Sequence, residues 1–445
     1  MECENDDEAA PPKAPRVLAV THSNGAADVL LQALLNIGIP AVRLGRPSSV
    51  SPHVQHRTII AIAEKVPAVL KLRHKANDVT LDNQSRTSAE FEFRQYMSDI
   101  QKVIIKTAPV IVASCIGANQ LLNEDVSFPI VVLDEAAQTT EPALTCALAV
   151  AKAQQVVMIG DSKQLPPTIT AMELKDNLGV SPMSRLEKDG VDEVTLSVQY
   201  RMPPALLEHP SNYFYNGLVR CSTSIQNKEH KLPMGFPWPK SRNSDANIPL
   251  AFIDSGKNNE YTHNFGGKSN PTEAELVTNI ISSLIKNDET LTKNIAVITP
   301  YSKQVQLIRM ELAMKGTGHQ NSFHRVKVGT VDSFQGQETE IVIFSAVRSN
   351  ELKEMGFLRD PRRLNVAITR AKTGLILVGD RTLLKTCRHW AALIESCERR
   401  GCLVDSTALK EEPTLEMAQL SDEEKKEITL NESDEFYGLF SPPNQ

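Results

Sequence analysis

Short apolar runs rich in β-branched residues alternate along this chain with segments of helical periodicity, and this alternation constrains the fold most strongly. The runs lie at 16–21, 40–45, 109–114, 129–134 and 155–161, and again at 249–254, 294–300, 325–331, 339–347 and 373–380. Strands that are apolar on both faces are typical of a parallel sheet covered by helices. The pattern therefore predicts two parallel α/β domains in tandem, with the strands of the first domain buried.

Composition indicates where these domains begin and end. Residues 1–15 are acidic and Pro-rich and are expected to be disordered, and the first domain is predicted over 16–190 with a helical insertion at about 50–106. The second domain is predicted over 191–405. Residues 220–247 show little periodicity and predict a surface loop. The acidic tail, 406–445, is expected to be mostly disordered, although its DEFYGLF segment could dock on a protein partner.

Charge and cysteine content exclude several classes of protein. The 48 basic and 54 acidic side chains leave a net charge of −6, which excludes a generally basic nucleic-acid coat but not a local basic groove. Seven scattered cysteines predict a reducing compartment. No apolar run approaches the ~20 residues that span a bilayer, and the first residues do not resemble a signal peptide. We therefore expect no membrane contact and a cytoplasmic or nuclear location.

Two adjacent carboxylates end one of the predicted strands. Asp134 and Glu135 occur in VVLDEAAQTT, and the next strand leads into GDSKQLPP, which contains Gln164. Parallel sheets bind ligands at the carboxyl ends of their strands. One carboxylate there can hold Mg²⁺ while its neighbour orients or deprotonates an attacking water, and the amide of Gln164 can contact a terminal phosphate. Helix capping is the alternative role for either acid, but the pair together with the second motif favours nucleotide hydrolysis.

Seven segments occur in the order VTHSNGAADVL, LDEAAQ, GDSKQLPP, VQYRMPP, ITPYSKQ, TVDSFQGQE and RRLNVAITRAK. In that order they resemble the motifs of the superfamily 1 helicases of the regulator-of-nonsense-transcripts and senataxin-like group, and the resemblance covers roughly residues 16–405. It implies two RecA-like domains, ATP and Mg²⁺ as cofactors, single-stranded RNA or DNA as the partner, and helicase activity coupled to ATP hydrolysis. A 5′-to-3′ polarity is implied by the resemblance alone.

The resemblance also assigns roles to residues. Asp134 would coordinate Mg²⁺, Glu135 would be the catalytic carboxylate and Gln164 would contact the γ-phosphate. The other implied nucleotide contacts are Tyr200 (adenine), Arg201 (phosphates), Glu338 beside Gly336 (ribose hydroxyls) and Arg370 (an arginine finger). The implied nucleic-acid track consists of Thr21, Ser23, Asn24, Pro300, Tyr301 and Thr330. Arg201 and Arg370 follow the joint between the domains and so belong to the second domain. Their guanidinium groups would stabilise the negative charge on the phosphates only when the two domains close.

The family's Gly-rich phosphate loop, which ends in Gly-Lys-Thr and precedes the first of these motifs, has no counterpart in the sequence. GGKS at 266–269 ends similarly, but Thr262 stands at the position of the first glycine, and GTGH at 316–319 follows a helix instead of a strand. The loop and its lysine make most contacts to the β- and γ-phosphates. We therefore expect poor Mg²⁺–ATP binding by the chain as written, which would be a truncated gene model, a short isoform or a subunit completed by another chain. Its first sheet would expose apolar surface.

A different class of protein remains as the alternative. A non-hydrolysing nucleic-acid or protein-binding module with a helicase fold would bind nucleic acid irrespective of ATP, whereas a helicase would show nucleic-acid-stimulated hydrolysis that is lost in Glu135→Gln. The joint presence of Asp134, Glu135, Gln164, Arg201 and Arg370 favours the helicase.

Cys387, His389, Cys397 and Cys402 lie close together in the sequence. Zinc binding is conceivable, but their spacing is not a standard one. The segment CRHWAALIESC is better explained as a helix whose core face carries Trp390, Leu393, Ile394 and Cys397.

Overall fold

The structure is a computed structural model, which describes residues 14–409 except 79, 230, 242–244, 258, 265, 287 and 316–322. The chain divides into two compact units. Unit 1 comprises Met1–Ser197 with Pro361–Val366, and unit 2 comprises Val198–Asp360 with Ala367–Gln445. Most of the two predicted disordered ends, the DEFYGLF segment and the GTGH segment lie outside the described residues.

Unit 1 contains a five-stranded parallel sheet in the order β2-β3-β1-β4-β5. The strands are β1 Val17–Thr21, β2 Ala41–Arg43, β3 Val110–Ser114, β4 Ile130–Leu133 and β5 Gln155–Met158. The helices are α1 Asn24–Asn36, α2 Ile59–Ala63, α3 Pro67–Ala76, α4 Asn83–Thr107, α5 Glu141–Ala151, α6 Lys175–Leu178 and α7 Pro182–Lys188. Because all five strands run in parallel, the segments that follow them meet at one edge of the sheet.

The predicted insertion is helical. Helix α4 is 25 residues long and begins at an N-cap, Asp82, whose carboxylate accepts a hydrogen bond from the Ser85 backbone N–H. The insertion has a small core of its own, formed by Ala63, Val69 and Met97. The helical insertion is therefore confirmed.

Strand β5 differs from its prediction as a buried strand. It lies at the edge of the sheet and pairs with β4. Val156 is 39% exposed, Val157 48% and the following Ile159 46%. The apolar run correctly predicts a strand, but burial depends on what covers it, and none of the described residues pairs with the free edge of β5.

Unit 2 contains a six-stranded parallel sheet in the order β12-β11-β13-β14-β8-β15. The strands of the unit are β6 Val198–Gln199, β7 Arg220–Cys221, β8 Leu250–Asp254, β9 Tyr261–Thr262, β10 Lys268–Ser269, β11 Ile295–Thr299, β12 Lys327–Thr330, β13 Thr339–Ser345, β14 Ala371–Gly379 and β15 Leu403–Val404. The helices are α8 Pro204–Phe214, α9 Thr223–Gln226, α10 Pro271–Ile285, α11 Ser302–Lys315, α12 Pro361–Ile368, which begins in unit 1, α13 Arg381–Leu384 and α14 Arg388–Arg400.

The segment 220–247 is more than the surface loop that its composition predicts. Phe236 and Trp238 are 5% and 6% exposed and belong to the main core of unit 2. Their rings meet edge to face at 4.8 Å, and the Trp238 indole N–H donates to the Pro233 carbonyl oxygen at 3.0 Å. Two aromatic residues in a Pro-rich segment leave no periodic signal, so the sequence pattern missed this core contribution.

No helix among the described residues is long and apolar enough to cross a membrane.

Candidate nucleotide-binding residues in each unit

The two adjacent carboxylates lie where the chain leaves β4. The Asp134 backbone N–H donates to the Val20 carbonyl oxygen at 2.9 Å, which ties the end of β4 to the end of β1. Glu135 has a φ of 54°, in the left-handed region that non-glycine residues rarely adopt, and begins the short helix Ala136–Gln138. Its carboxylate accepts a hydrogen bond from Gln138 Nε2 at 2.7 Å. Such strain persists where the surrounding structure imposes it, and it is common at functional sites.

The half-buried carboxyl of Asp134 fits a cation site. Burial raises its pKa, although the Glu135 backbone N–H and the nearby His22 ring act in the opposite direction. A divalent cation would favour the ionised form. Mg²⁺ is often held by one or two carboxylates together with substrate phosphates. The lack of any group of three or more metal-ligating side chains among the described residues therefore does not conflict with this role.

The loop after β5 reaches the same edge of unit 1. The Ile159 N–H donates to Leu133 O at 2.8 Å, and the Ala136 N–H donates to Ile159 O at 2.9 Å. The structure thus brings the Asp-Glu pair and the Gln164 loop together. Gln164 Nε2 donates to Asp161 Oδ2 at 2.8 Å, and the other carboxylate oxygen of Asp161 accepts from the Lys163 N–H at 2.9 Å. Asp161 therefore positions Gln164, a role that the sequence analysis did not assign.

The segment after β1 contains the first three predicted track residues. Thr21 is fully buried and its hydroxyl donates to Ser23 O at 2.7 Å. Ser23 caps α1 by accepting from the Ala26 N–H at 3.2 Å. Asn24 Oδ1 accepts from Arg43 Nη2 at 3.0 Å. The geometry shows how this loop is held, and contact with a nucleic acid stays a prediction.

Arg43 is a positioning residue that sequence reasoning missed. Its side chain is 0% exposed and forms an ion pair with Asp28 at 2.9 Å. A buried charge requires a partner. The only hint of this pair in the sequence is the opposite charge of Asp28, 15 positions earlier. A helix residue and a residue on the next strand have no regular spacing, so the sequence pattern does not reveal that they are in contact.

In unit 2, two of the predicted residues, Arg201 and Glu338, meet in an ion pair. Glu338 Oε2 accepts from Arg201 Nε at 2.7 Å, and Glu338 Oε1 lies 2.7 Å from Lys372 Nζ. Burial alone would raise the pKa of Glu338, but the hydrogen bonds from Lys372 and Arg201 outweigh it and lower that pKa. Arg201 Nη1 also donates to Thr369 O at 2.9 Å. Lys372 is an additional member of this cluster, and its position in RRLNVAITRAK was the only sequence signal for it.

The side chain of Gln199 holds the turn that presents Tyr200. Its Oε1 accepts from the backbone N–H groups of Arg201 (2.7 Å) and Met202 (3.0 Å). Its Nε2 donates to the Met202 carbonyl oxygen at 2.7 Å. Tyr200 is left 71% exposed, a placement compatible with the predicted stacking on an adenine. Gln199 was not among the predicted residues.

Gly336 and Arg370 lie beside the same cluster. Gly336 has a φ of 72°, which a residue with a Cβ adopts only at a cost, in the turn just before Glu338. Arg370 is 2% exposed, and its Nη2 donates to Thr369 Oγ1 at 2.9 Å. The Thr339 N–H donates to Arg370 O at 3.1 Å, so the residue after Glu338 and the residue before β14 are joined through the backbone.

The remaining predicted track residues follow two neighbouring strands of unit 2. Pro300 and Tyr301 come directly after β11, and Thr330 ends β12, where it pairs with Thr299. Tyr301 is 7% exposed, and its hydroxyl accepts from Arg348 Nη1 at 3.4 Å. The structure therefore brings these three residues together at one edge of the sheet.

Two segments that the sequence analysis weighed as alternative sites and set aside, GGKS and CRHWAALIESC, have other surroundings in the structure. Lys268 of GGKS is in the β9–β10 hairpin, and its ammonium group binds Glu260 Oε1 at 3.0 Å. Trp390, Leu393, Ile394 and Cys397 are buried on α14, as predicted. Cys387, Cys397 and Cys402 are buried free thiols, and no metal-ligating group is formed among the described residues.

Two parallel α/β units, one with paired carboxylates after a strand and the other with an arginine–glutamate–lysine cluster, have the architecture of tandem RecA-like domains. Models of the AAA domain match residues 69–172 and 178–382. The chain is 33% identical to a regulator of nonsense transcripts 1 homolog of Neurospora crassa over 90% of its length, and 34% identical to the ATP-dependent helicase NAM7 of Saccharomyces cerevisiae over 88%. The chain is thus homologous to the regulator-of-nonsense-transcripts helicases over about nine tenths of its own length.

The chain spans only part of these relatives. It covers 36% of the Neurospora protein, 40% of the yeast protein and 46% of the probable helicase MAGATAMA 3 of Arabidopsis thaliana, to which it is 33% identical over 87% of its length. Among solved structures, the arterivirus nonstructural protein 10 helicase matches with a TM-score of 0.38 at 12% identity, covering 84% of this chain and 56% of that one. A likeness this loose supports no conclusion.

Proposed function

We propose that the chain is the core of an ATP-dependent helicase or translocase that couples ATP hydrolysis to movement along single-stranded RNA or DNA. The observation that carries this proposal is the clustering of residues far apart in sequence. Arg201, Glu338 and Lys372 form one network in unit 2, and Asp134, Glu135 and the loop of Gln164 share one sheet edge in unit 1.

The proposed division of labour follows the chemistry of each group. Mg²⁺ held by Asp134 and the phosphates would supply charge neutralisation. Glu135 would accept the proton of the attacking water, since it lies on a rigid turn and its neighbour Gln138 fixes one carboxylate oxygen. Gln164 would orient that water or contact the terminal phosphate.

The residues of unit 2 would bind the rest of the nucleotide. Tyr200 would stack on the base and Glu338 would accept hydrogen bonds from the ribose hydroxyls. Both oxygens of Glu338 already bind cations, so a ribose would compete with Arg201 or Lys372, and the released cation would be available to phosphates. Arg370 would stabilise the developing charge.

The free edge of β5 suggests how phosphate binding would be completed. None of the described residues forms a Gly-rich strand–loop–helix unit ending in Gly-Lys-Ser/Thr, and β5 exposes Val156 and Val157 beside the Gln164 loop. A parallel strand paired with β5 would cover these residues and end at the same sheet edge. We propose that hydrolysis requires a phosphate loop at this position.

The first test compares RNA binding with and without nucleotide. Fluorescence anisotropy of a labelled 20-nucleotide poly(U) strand would be measured with the native protein purified from its own cells, in Mg²⁺ with and without a non-hydrolysable ATP analogue. The helicase proposal predicts an RNA affinity that changes at least threefold with the analogue. RNA binding that ignores the analogue would favour the non-hydrolysing module, and no RNA binding would contradict both nucleic-acid functions.

A location in cytoplasm or nucleus is part of the proposal.

A further inference from the structure

Unit 2 contains a wide cleft of about 1020 Å³ outside the residues assigned to the nucleotide. Its walls come from the loop after β13 and from the residues around the start of α14. The charged and titratable side chains that line it are Arg348, Lys353, Glu354, Arg359, Arg388 and His389. Four permanent cations therefore face a single carboxylate, in a protein whose net charge is −6.

The cations have different roles. Arg348 is 4% exposed and donates to Glu260 Oε2 at 2.8 Å, so it anchors the loop. Lys353, Arg359 and Arg388 are exposed. Exposed cations gathered in one cleft attract anions far more effectively than scattered ones, because their potentials add.

The loop that carries these residues is held rigidly at its first residue. Val347 has a φ of 72°, a strained conformation for a β-branched residue. Its N–H donates to Glu273 Oε2 at 2.8 Å, and Ser349 Oγ donates to Asp380 Oδ2 at 2.8 Å. Buried acceptors thus fix Arg348 from both sides. Strained residues that are held this firmly are common in loops that bind ligands.

Gly356 lines the cleft and lies against Tyr301. It has a φ of 51°, and a Cβ placed there would lie 2.5 Å from the Tyr301 hydroxyl and 2.4 Å from Arg348 Nη1, so a larger residue would be strained and would displace these side chains. Phe357, which is 50% exposed, lies with its ring centroid 5.4 Å from that of Tyr301. Phe357 follows Gly356 of the cleft wall. An exposed aromatic ring next to a cationic cleft is a combination that binds single-stranded nucleic acid, because bases stack on the ring and phosphates bind the cations.

We propose that this basic cleft extends the nucleic-acid track of unit 2, with Arg359, Arg388 and Lys353 binding backbone phosphates and Phe357 stacking on a base. The inference rests on the proposed function, since it places one further segment of the same strand. A phosphorylated peptide is less favoured, because its single phosphate would not use cations on two separate segments together with an exposed phenyl ring.

The test is the salt dependence of binding to labelled poly(U) and poly(A) 20-mers by the full chain. The variant Arg359→Ala/Arg388→Ala removes two phosphate contacts, so the slope of log K against log salt should decrease by about 1.4, and affinity at 0.1 M salt should fall about 10- to 30-fold for both oligonucleotides. The matched control, Arg73→Ala/Arg94→Ala, removes two exposed arginines from unit 1 and should leave the slope unchanged. Arg359→Lys/Arg388→Lys keeps both positive charges and should therefore retain most of the wild-type slope.

The outcomes distinguish the two proposals. If the wild type binds RNA and the cleft variant binds with the same slope, the cleft proposal is wrong and the proposed function stands. If the wild type binds no oligonucleotide, both are wrong. If a labelled phosphothreonine peptide binds and only this binding is lost in the cleft variant, the cleft serves a phosphoprotein instead. Phe357→Ala, which alters no charge, should weaken binding several-fold with an unchanged slope and serves as the second variant should the arginine variant unfold.

Discussion

The buried carboxyl of Glu273 makes the stability of unit 2 depend on pH. Glu273 lies in the first turn of α10 with no exposed surface, and it accepts hydrogen bonds from Ser345 Oγ at 2.7 Å and from the Val347 N–H at 2.8 Å. Burial nevertheless raises its pKa from 4.5 to about 7, and the nearby Asp380 contributes in the same direction.

The size and the sign of the effect follow from this shift. In the unfolded chain the carboxyl has its ordinary pKa of 4.5, about 2.5 below the value in the folded unit. At about 1.4 kcal/mol for each pKa unit, the shift corresponds to roughly 3 kcal/mol. Between pH 4.5 and 7 the folded protein holds a proton that the unfolded chain has released, so this contribution is complete below pH 4.5 and is lost as the pH rises through 7.

Fluorescence isolates unit 2, because both tryptophans of the chain, Trp238 and Trp390, belong to it. Urea unfolding would be followed at pH 5 and pH 7.5 for the wild type and for Glu273→Gln, which is neutral at both. His209 makes the free energy of unfolding rise with pH instead, since burial lowers its pKa from 6.5 to about 4. The informative quantity is therefore the free energy of unfolding of wild type minus variant. We expect this difference to fall by about 2.4 kcal/mol from pH 5 to 7.5, because these two pH values sample most but not all of the shift. A difference that is the same at both pH values would refute the reasoning.

Three further predictions follow from the packing and the charges. Trp238→Ala should cost about 3 to 5 kcal/mol of unit 2 stability in urea, followed through Trp390, and a cost below about 1 kcal/mol would mean that the segment 220–247 is surface after all. Val157→Lys should change the thermal stability little, by less than about 0.5 kcal/mol, and should reduce self-association in light scattering; a loss of several kcal/mol would show that the β5 edge is covered. Lys372→Met should move the pKa of Glu338 upwards, which a ¹³C NMR titration of the side-chain carboxyl can detect, and an unchanged titration would exclude the observed ion pair.

The strands were predictable because each is a continuous apolar run rich in β-branched residues, and such a run favours the extended conformation of a strand. Their burial was not equally predictable, as β5 shows. The exposed fraction of Val156 and Val157 depends on which strand pairs with β5, and no property of the run itself contains that information. The burial of Phe236 and Trp238 was also not predicted, although here the error is the opposite one: both are buried in a segment that was expected to be a surface loop. Two aromatic residues without a period give no amphipathic signal.

The candidate site was partly predictable for a related reason. Asp134, Glu135 and Gln164 follow adjacent strands, so parallel topology alone places them at one edge. Glu338 and Arg201 are 137 positions apart, and only the resemblance to helicases suggested that they act together. The positioning residues act through side-chain hydrogen bonds whose partners are set by the tertiary fold. Gln199 holds the backbone of Arg201, Asp161 holds Gln164, and Arg43 holds Asn24 of the predicted nucleic-acid track.

The measurement that tests the helicase proposal most directly is phosphate release from Mg²⁺–ATP by the native protein expressed in its own cells, with and without single-stranded RNA. We expect RNA to stimulate release, and Glu135→Gln to reduce the stimulated rate by about 10²- to 10⁴-fold, the contribution of a general base. Glu141→Gln, a matched change at a carboxylate that is 48% exposed on the same unit, should leave the rate unchanged. RNA binding without any RNA-stimulated release, the same in wild type and Glu135→Gln, would contradict the account.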